Sequence, residues 1–113
     1  MEKYSEERPW GKFEQFCQNE ICTVKIITVN PNEELSLQFH YYRDEFWKII
    51  KGRARITIGE NIYDGKEGDE YFINRKEKHR IKTENSLAKI LEISFGKFDE
   101  NDIVRLEDRY KRV

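Results

Sequence analysis

Short runs of β-branched and aromatic residues, mostly alternating with polar ones and each closed by a turn-forming cluster, constrain this chain more than any other feature. The runs are 22–29 (CTVKIITV), 35–41 (LSLQFHY), 45–50 (EFWKII), 53–59 (RARITIG), 70–73 (EYFI), 79–83 (HRIKT) and 87–95 (LAKILEISF). A two-residue period is the side-chain period of a strand, so each run is expected to be one. Between them lie 30–34 (NPNEE), 51–52 (KG), 59–61 (GEN), 64–69 (DGKEGD) and 84–86 (ENS), each short enough for a hairpin or an arch. Turn signals at this spacing predict an all-β sandwich or barrel. The first ten residues are expected to form an arm or an edge strand. The tail, 99–110 (DENDIVRLEDRY), departs from the pattern. Ile103, Leu106 and Tyr110 fall on one side of a helix, and Asp99 or Asn101 can serve as its N-cap, so a short C-terminal helix is predicted to strap the outside.

The chain has 113 residues, room for a single domain over 1–113. Charged residues make up 38% against 37% hydrophobic, a ratio that would suggest disorder were the apolar positions not gathered in dense runs such as 46–50 and 90–95. Lys plus Arg (21) nearly balance Asp plus Glu (22), and the basic residues are scattered, which leaves no footprint for nucleic acid. A small molecule or a protein is the expected partner. The polar opening, Met1 to Glu7, has no signal-peptide pattern and no run is long enough to span a bilayer, so a cytoplasmic protein without membrane association is expected. Cys17 and Cys22 flank a tight turn. They can pair across a hairpin or remain reduced, and reduced thiols are the expectation for a cytosolic protein.

The chain has two histidines, and both fall in strand-like segments near other metal-binding side chains. Alternation puts Gln38 and His40 on one face and Leu37, Phe39 and Tyr41 on the other. Glu45 follows His40 by five residues and shares its face with Trp47 and Ile49. Gly52 comes at the next turn, which makes the pattern Q-x-H-x4-E-x6-G. Later, Gly68 is followed by five residues, then 74–78 (NRKEK), then His79 at the head of another strand. Two imidazoles, a carboxylate and an amide oxygen suit one borderline divalent ion, zinc first, with Mn, Fe, Co or Ni as alternatives. Trp10 and Trp47 read as core or interface anchors rather than sugar-stacking platforms.

This spacing resembles the two motifs of the cupin superfamily, with Gln38 in place of the first histidine. The segments 8–14 (RPWGKFE), 35–47 (LSLQFHYYRDEFW), 92–98 (EISFGKF) and 100–112 (ENDIVRLEDRYKR) look more specifically like the C-terminal isomerase domain of type II mannose-6-phosphate isomerase/mannose-1-phosphate guanylyltransferase. The resemblance covers nearly the whole chain and none of a guanylyltransferase domain. It implies a cupin-type double-stranded β-helix, or jelly-roll barrel, that holds a metal at Gln38, His40, Glu45 and His79 and interconverts mannose 6-phosphate and fructose 6-phosphate. It also implies a homodimer, with a separate nucleotidyltransferase as a further partner. Relatives usually have histidine at the positions of Tyr42 and Phe46, and proline and glycine at those of Asn74 and Lys76.

An aldose–ketose isomerase needs a base to carry a proton between C2 and C1, and positive charge or donors to hold the enediolate. Glu92 shares a strand face with Ile90 and Ser94 and is the first candidate for the base, with Tyr42 or Lys48 as other choices. Arg43, between His40 and Glu45, is the first candidate for the sugar phosphate, ahead of Arg8, Arg80 and Arg105. The runner-up reading is a non-catalytic metal-containing cupin that binds a sugar phosphate or sugar nucleotide, and the third an iron-dependent oxygenase.

Overall fold

The computed structural model describes residues 1–110. They form eleven strands, β1 (Tyr4–Arg8), β2 (Gly11–Gln15), β3 (Cys22–Val29), β4 (Leu37–Phe39), β5 (Arg43–Lys51), β6 (Ala54–Ile58), β7 (Asn61–Gly65), β8 (Glu70–Ile73), β9 (His79–Lys82), β10 (Ala88–Gly96) and β11 (Val104–Glu107). The β1–β2 hairpin stands apart from a four-stranded sheet in the order β3-β10-β5-β8 and a five-stranded sheet in the order β11-β4-β9-β6-β7. No helix occurs among the described residues, so none is long and apolar enough to cross a membrane.

The two larger sheets bury their alternating positions against each other. Ile56, Ile58 and Ile81 come from the five-stranded sheet, and Trp47, Ile49, Ile73 and Ile90 from the four-stranded one. Each fully buried aliphatic side chain contributes roughly 2 kcal/mol by removal from water, so the alternation dictates which face turns inward. Gly52 closes the β5–β6 turn at φ +78°, and a Cβ there would run into the Leu87 carbonyl oxygen. The opposite face of the four-stranded sheet carries Phe46, Ile93 and Phe95, which pack with Phe16, Cys17 and Cys22. Lys3 pairs with Glu70 at 2.8 Å and Lys48 with Glu14 at 3.4 Å, fastening the first sixteen residues over that face.

The predicted C-terminal helix is not formed. Residues 104–107 instead pair with β4, setting Val104 opposite Phe39, Arg105 opposite Gln38 and Glu107 opposite Leu37. An isolated helix of this length is marginal in water, whereas an unpaired sheet edge offers a full set of backbone partners. Leu106 and Tyr110, two of the three residues on the expected helix face, are exposed. Asp99 caps a turn rather than a helix, its carboxylate accepting from the Asn101 amide at 2.9 Å. Lys111 and Arg112, which end the segment resembling the family's close, lie outside the described residues. Strand β7 was hidden by its turn-like flanks, 59–61 and 64–69. It pairs with β6 through a two-residue loop, Gly59–Glu60. The N-terminal segment proves to be a hairpin, turning at Pro9–Trp10.

Candidate metal centre

Three strands change character toward the same end of the core. Inward-facing positions run from Ile49 through Trp47 to Glu45 on β5, from Ile90 through Glu92 to Ser94 on β10, and from Ile81 to His79 on β9. All are buried. His40, just past β4, completes the polar end. Ligating atoms of His40, Glu45 and His79 lie within 4.8 Å of one another, and the sequence separations of 5 and 34 residues are closed by the two facing sheets. Gln38 sits directly opposite His79 in the β4–β9 pair, which puts both side chains on one face of the sheet. Its amide nitrogen reaches the Ser36 carbonyl at 3.5 Å.

The hydrogen bonds fix what these groups offer. His40 Nδ1 donates to the Asp102 carbonyl at 2.6 Å and His79 Nδ1 to the Glu77 carbonyl at 2.9 Å. With Nδ1 engaged by a backbone carbonyl, each ring turns its Nε2 toward the site, the arrangement by which carbonyls orient metal-binding imidazoles. Glu45 Oε1 lies 3.1 Å from His79 Nε2 and 3.8 Å from His40 Nε2, and this buried oxygen has no hydrogen-bond donor. Two imidazole Nε2 atoms and a carboxylate oxygen thus converge, with the Arg43 guanidinium beside them 3.2 Å from His40 Nε2, and the two nitrogens and the oxygen form a set that suits a divalent ion. Burial opposes ionisation of Glu45, but His79, His40 and Arg43 outweigh it and hold the carboxyl down at about 2. Burial dominates at His40 and lowers its imidazole despite the Asp102 carbonyl and the Glu45 charge. Two imidazole nitrogens with an ionised carboxylate fit a divalent ion.

Glu92 is the second buried carboxyl. Its Oε2 accepts from Trp47 Nε1 at 3.1 Å. Burial, and then the Glu45 charge, push it up to about 7 against the pull of the indole. Unfolded glutamate titrates near about 4.3, so between those values the folded chain holds a proton that the unfolded chain has released. Stability must fall as pH rises across that window. Glu92→Gln removes the loss: in chelator-treated protein the variant should gain on the order of 2–3 kcal/mol relative to wild type between pH 5 and pH 8. Urea denaturation at the two pH values measures it, and an equal difference at both would contradict the assignment.

Arg43 is buried within the site. It donates to His40 Nε2 at 3.2 Å and to the Asp99 carbonyl at 3.2 Å, approaches Glu45 Oε2 at 3.5 Å, and lies over the Phe98 ring at 4.5 Å. Tyr42 is not brought to the triad. Its side chain is 63% exposed and lines a cleft of about 270 Å³ with Lys97, Asn101 and Ile103. Lys48 faces outward, bound to Glu14 and Glu70, and is removed from consideration as a base. Phe46 is also on the outward face, stacked on Phe16 at 5.0 Å, so its departure from histidine takes nothing from the interior. Arg8 is exposed and paired with Glu6, and Arg80 alternates outward to meet Glu107. Trp10 is exposed in the hairpin turn.

Two positioning residues escaped the sequence reading. Asp102 accepts from the Tyr41 and Tyr42 amides at 2.9 and 3.0 Å while its carbonyl holds His40, so the last strand's lead-in clamps the loop that carries His40. Trp47, expected only as an anchor, also holds Glu92 and packs edge-on to His79, with ring centroids 5.3 Å apart.

Comparison with known proteins agrees with this geometry. Residues 2–108 match the family described as "Mannose-6-phosphate isomerase C-terminal". Mannose-1-phosphate guanylyltransferase ManC of Salmonella typhimurium is 37% identical over 108 residues, 94% of this chain and 22% of that protein. Xanthan biosynthesis protein XanB of Xanthomonas campestris is likewise 37% identical over 94% of this chain and 23% of its own length. The chain thus spans under a quarter of the length of these relatives. Among solved structures, oxalate decarboxylase from Bacillus subtilis superimposes with a TM-score of 0.70 at 27% identity, over 77% of this chain and 24% of that one. The inward triad, the all-β architecture and the family match converge: this chain belongs to the C-terminal mannose-6-phosphate isomerase domain family and has the cupin fold.

Proposed function

We propose that this chain is a metal-dependent isomerase interconverting mannose 6-phosphate and fructose 6-phosphate. The observation that carries the reading is the pairing, at one buried end of the core of a chain from this family, of a metal-fit triad with a second carboxyl, Glu92, whose proton is poised near neutral pH. Gln38, His40, Glu45 and His79 would hold the ion, zinc first. Bound there, it would supply Lewis-acid stabilisation of the oxyanion that develops as the enediolate forms. Glu92 removes the proton from C2 and returns it at C1. Its raised proton affinity matches a base that must both take and release at neutral pH. Trp47 keeps the accepting oxygen in place. Arg43, enclosed by His40, Glu45 and Asp99, is better placed for the oxygens at C1 and C2 than for a phosphate at the far end of the sugar.

Among the other arginines, Arg105 has the position that best supports a phosphate role. It is directly opposite Gln38 on the inward face, and its buried Nε has no partner. Tyr42 in the open cleft is a rim donor for the sugar.

The decisive assay couples fructose 6-phosphate formation to a dehydrogenase readout, using metal-reconstituted protein and mannose 6-phosphate. Turnover is expected. Saturable binding of the sugar phosphate without turnover would replace this reading with a non-catalytic sugar-phosphate-binding cupin.

Self-association is part of the proposal. On the outward face of the four-stranded sheet Val24 (58%) and Ile26 (60%) are exposed on the edge strand β3, and Phe72 (38%) on β8 at the other edge. A second copy is the proposed occupant, and light scattering under reducing conditions should give twice the chain mass. A mass equal to one chain would refute the dimer. The relatives named above are guanylyltransferase and xanthan-biosynthesis proteins about four times as long, which supports a nucleotidyltransferase acting beside this domain.

A further inference from the structure

We propose that Cys17 and Cys22 are a reversible disulfide site that fastens the β1–β2 hairpin to strand β3. Cys17 comes two residues after β2 ends, and Cys22 is the first residue of β3. The four residues between them turn the chain back, with Asn19 at φ 55°, and the two Sγ atoms face each other at 3.8 Å. Both are free thiols, half-buried on Phe46, Ile93 and Phe95 together with Phe16. A disulfide bond is about 2.0 Å long, so the sulfurs need to close by a little under 2 Å from their 3.8 Å separation, a distance that small side-chain rotations cover.

The co-reactant is a small-molecule disulfide such as oxidised glutathione. One cysteine thiolate attacks it, breaking the glutathione S–S bond and releasing one glutathione thiol. The second cysteine then attacks the mixed disulfide and releases the other. Two protein thiols are oxidised, one small disulfide is reduced, and the two thiol protons leave on the two glutathiones. Burial, and then the Cys22 sulfur, raise the Cys17 thiol above its usual range, so the exchange is slow and is best read at equilibrium.

The consequence is mechanical. The hairpin is otherwise held by Phe16 on Phe46 and by the ion pairs of Lys3 and Lys48, and the bond would tie its end covalently to the sheet that it covers. The test equilibrates the whole chain in glutathione buffers from reducing to oxidising, followed by acid quench, alkylation and intact mass. Wild type is expected to lose two hydrogens and take up no alkylating agent at the oxidising end, while Cys17→Ser and Cys22→Ser each retain a glutathione adduct. The thermal midpoint of the oxidised wild type should rise on the order of 5 °C, with no redox response in the double variant. Two alkylatable thiols, persistent wild-type adducts or cross-linked dimers would overturn the site, and an unchanged midpoint would overturn the fastening.

Discussion

Glu45→Gln should abolish tight metal binding and, at neutral pH, also lower the stability of the metal-free fold. The carboxylate is the single formal negative charge of the triad, and at an effective dielectric of about 20 a unit charge about 4 Å away contributes about 4 kcal/mol, so affinity for zinc is expected to fall at least about a thousandfold. The stability half of the expectation comes from the same geometry. In the wild type, against the opposing effect of burial, His79, His40 and Arg43 hold the carboxyl down at about 2, below the value of about 4.3 for an unfolded glutamate, so its ionised form stabilises the folded chain at neutral pH and this is lost as pH falls through the folded value. An amide at this position carries no such charge and leaves buried Arg43, 3.5 Å from Oε2, without its carboxylate, although its carbonyl keeps the approach of Ser94 Oγ, 3.4 Å from Oε2. Thermal unfolding with and without zinc separates the two effects, because a ligand that binds only the folded chain raises its midpoint by mass action. Zinc should raise the wild-type midpoint and leave that of Glu45→Gln unmoved. An equal rise in both proteins would mean that the ion binds elsewhere.

Glu92→Gln is expected to lower kcat by roughly a thousandfold, within the usual contribution of a positioned base, with metal content unchanged and KM within about threefold. Its amide oxygen still accepts from Trp47 Nε1, so the indole keeps its place. The wild-type rate should rise with pH as Glu92 ionises, with a midpoint no higher than its metal-free value of about 7, since a nearby cation favours the carboxylate. Steady-state kinetics across pH 5 to 9 checks both. Activity within tenfold of wild type would remove Glu92 as the base and leave the proton transfer to another group.

Glu92 stands beside a second carboxylate at the end of a core built mainly of isoleucine with Val29, Trp47, Ala54 and Ala88. Held apart from water beside Glu45, it costs stability above pH 7. A structural position would be filled at lower cost by an apolar side chain, as at Ile90 on the same face.

Much of this was legible because a strand's period is local. Gln38 with His40, Glu45 with Trp47 and Ile49, and Glu92 with Ser94 follow from counting by two, and spacing alone pointed to His79 as their partner. What remained hidden was non-local. The tail carries helical spacing at Ile103, Leu106 and Tyr110, but its fate is decided by the edge of β4, more than sixty residues earlier in the chain. With that pairing unseen, Asp102 could not be recognised as the clamp on His40, although its place in the segment resembling the family's close was a signal. Side-chain direction was the second gap. Arg43 was expected to hold the sugar phosphate, with no direction given to its side chain, and it lies against His40 because β5 begins at this residue and sets it on the same face as Glu45. By the same alternation Phe46 turns outward, which removes it from the chemistry even though it adjoins a metal-binding residue in sequence.

The central claim, that turnover depends on one ion at this triad, is tested most directly by titrating chelator-stripped protein with zinc while following mannose 6-phosphate isomerisation in the same cuvette. Activity should climb linearly from zero and level off at one equivalent per chain, whereas full loading without turnover, or turnover that persists in the chelator, would contradict it.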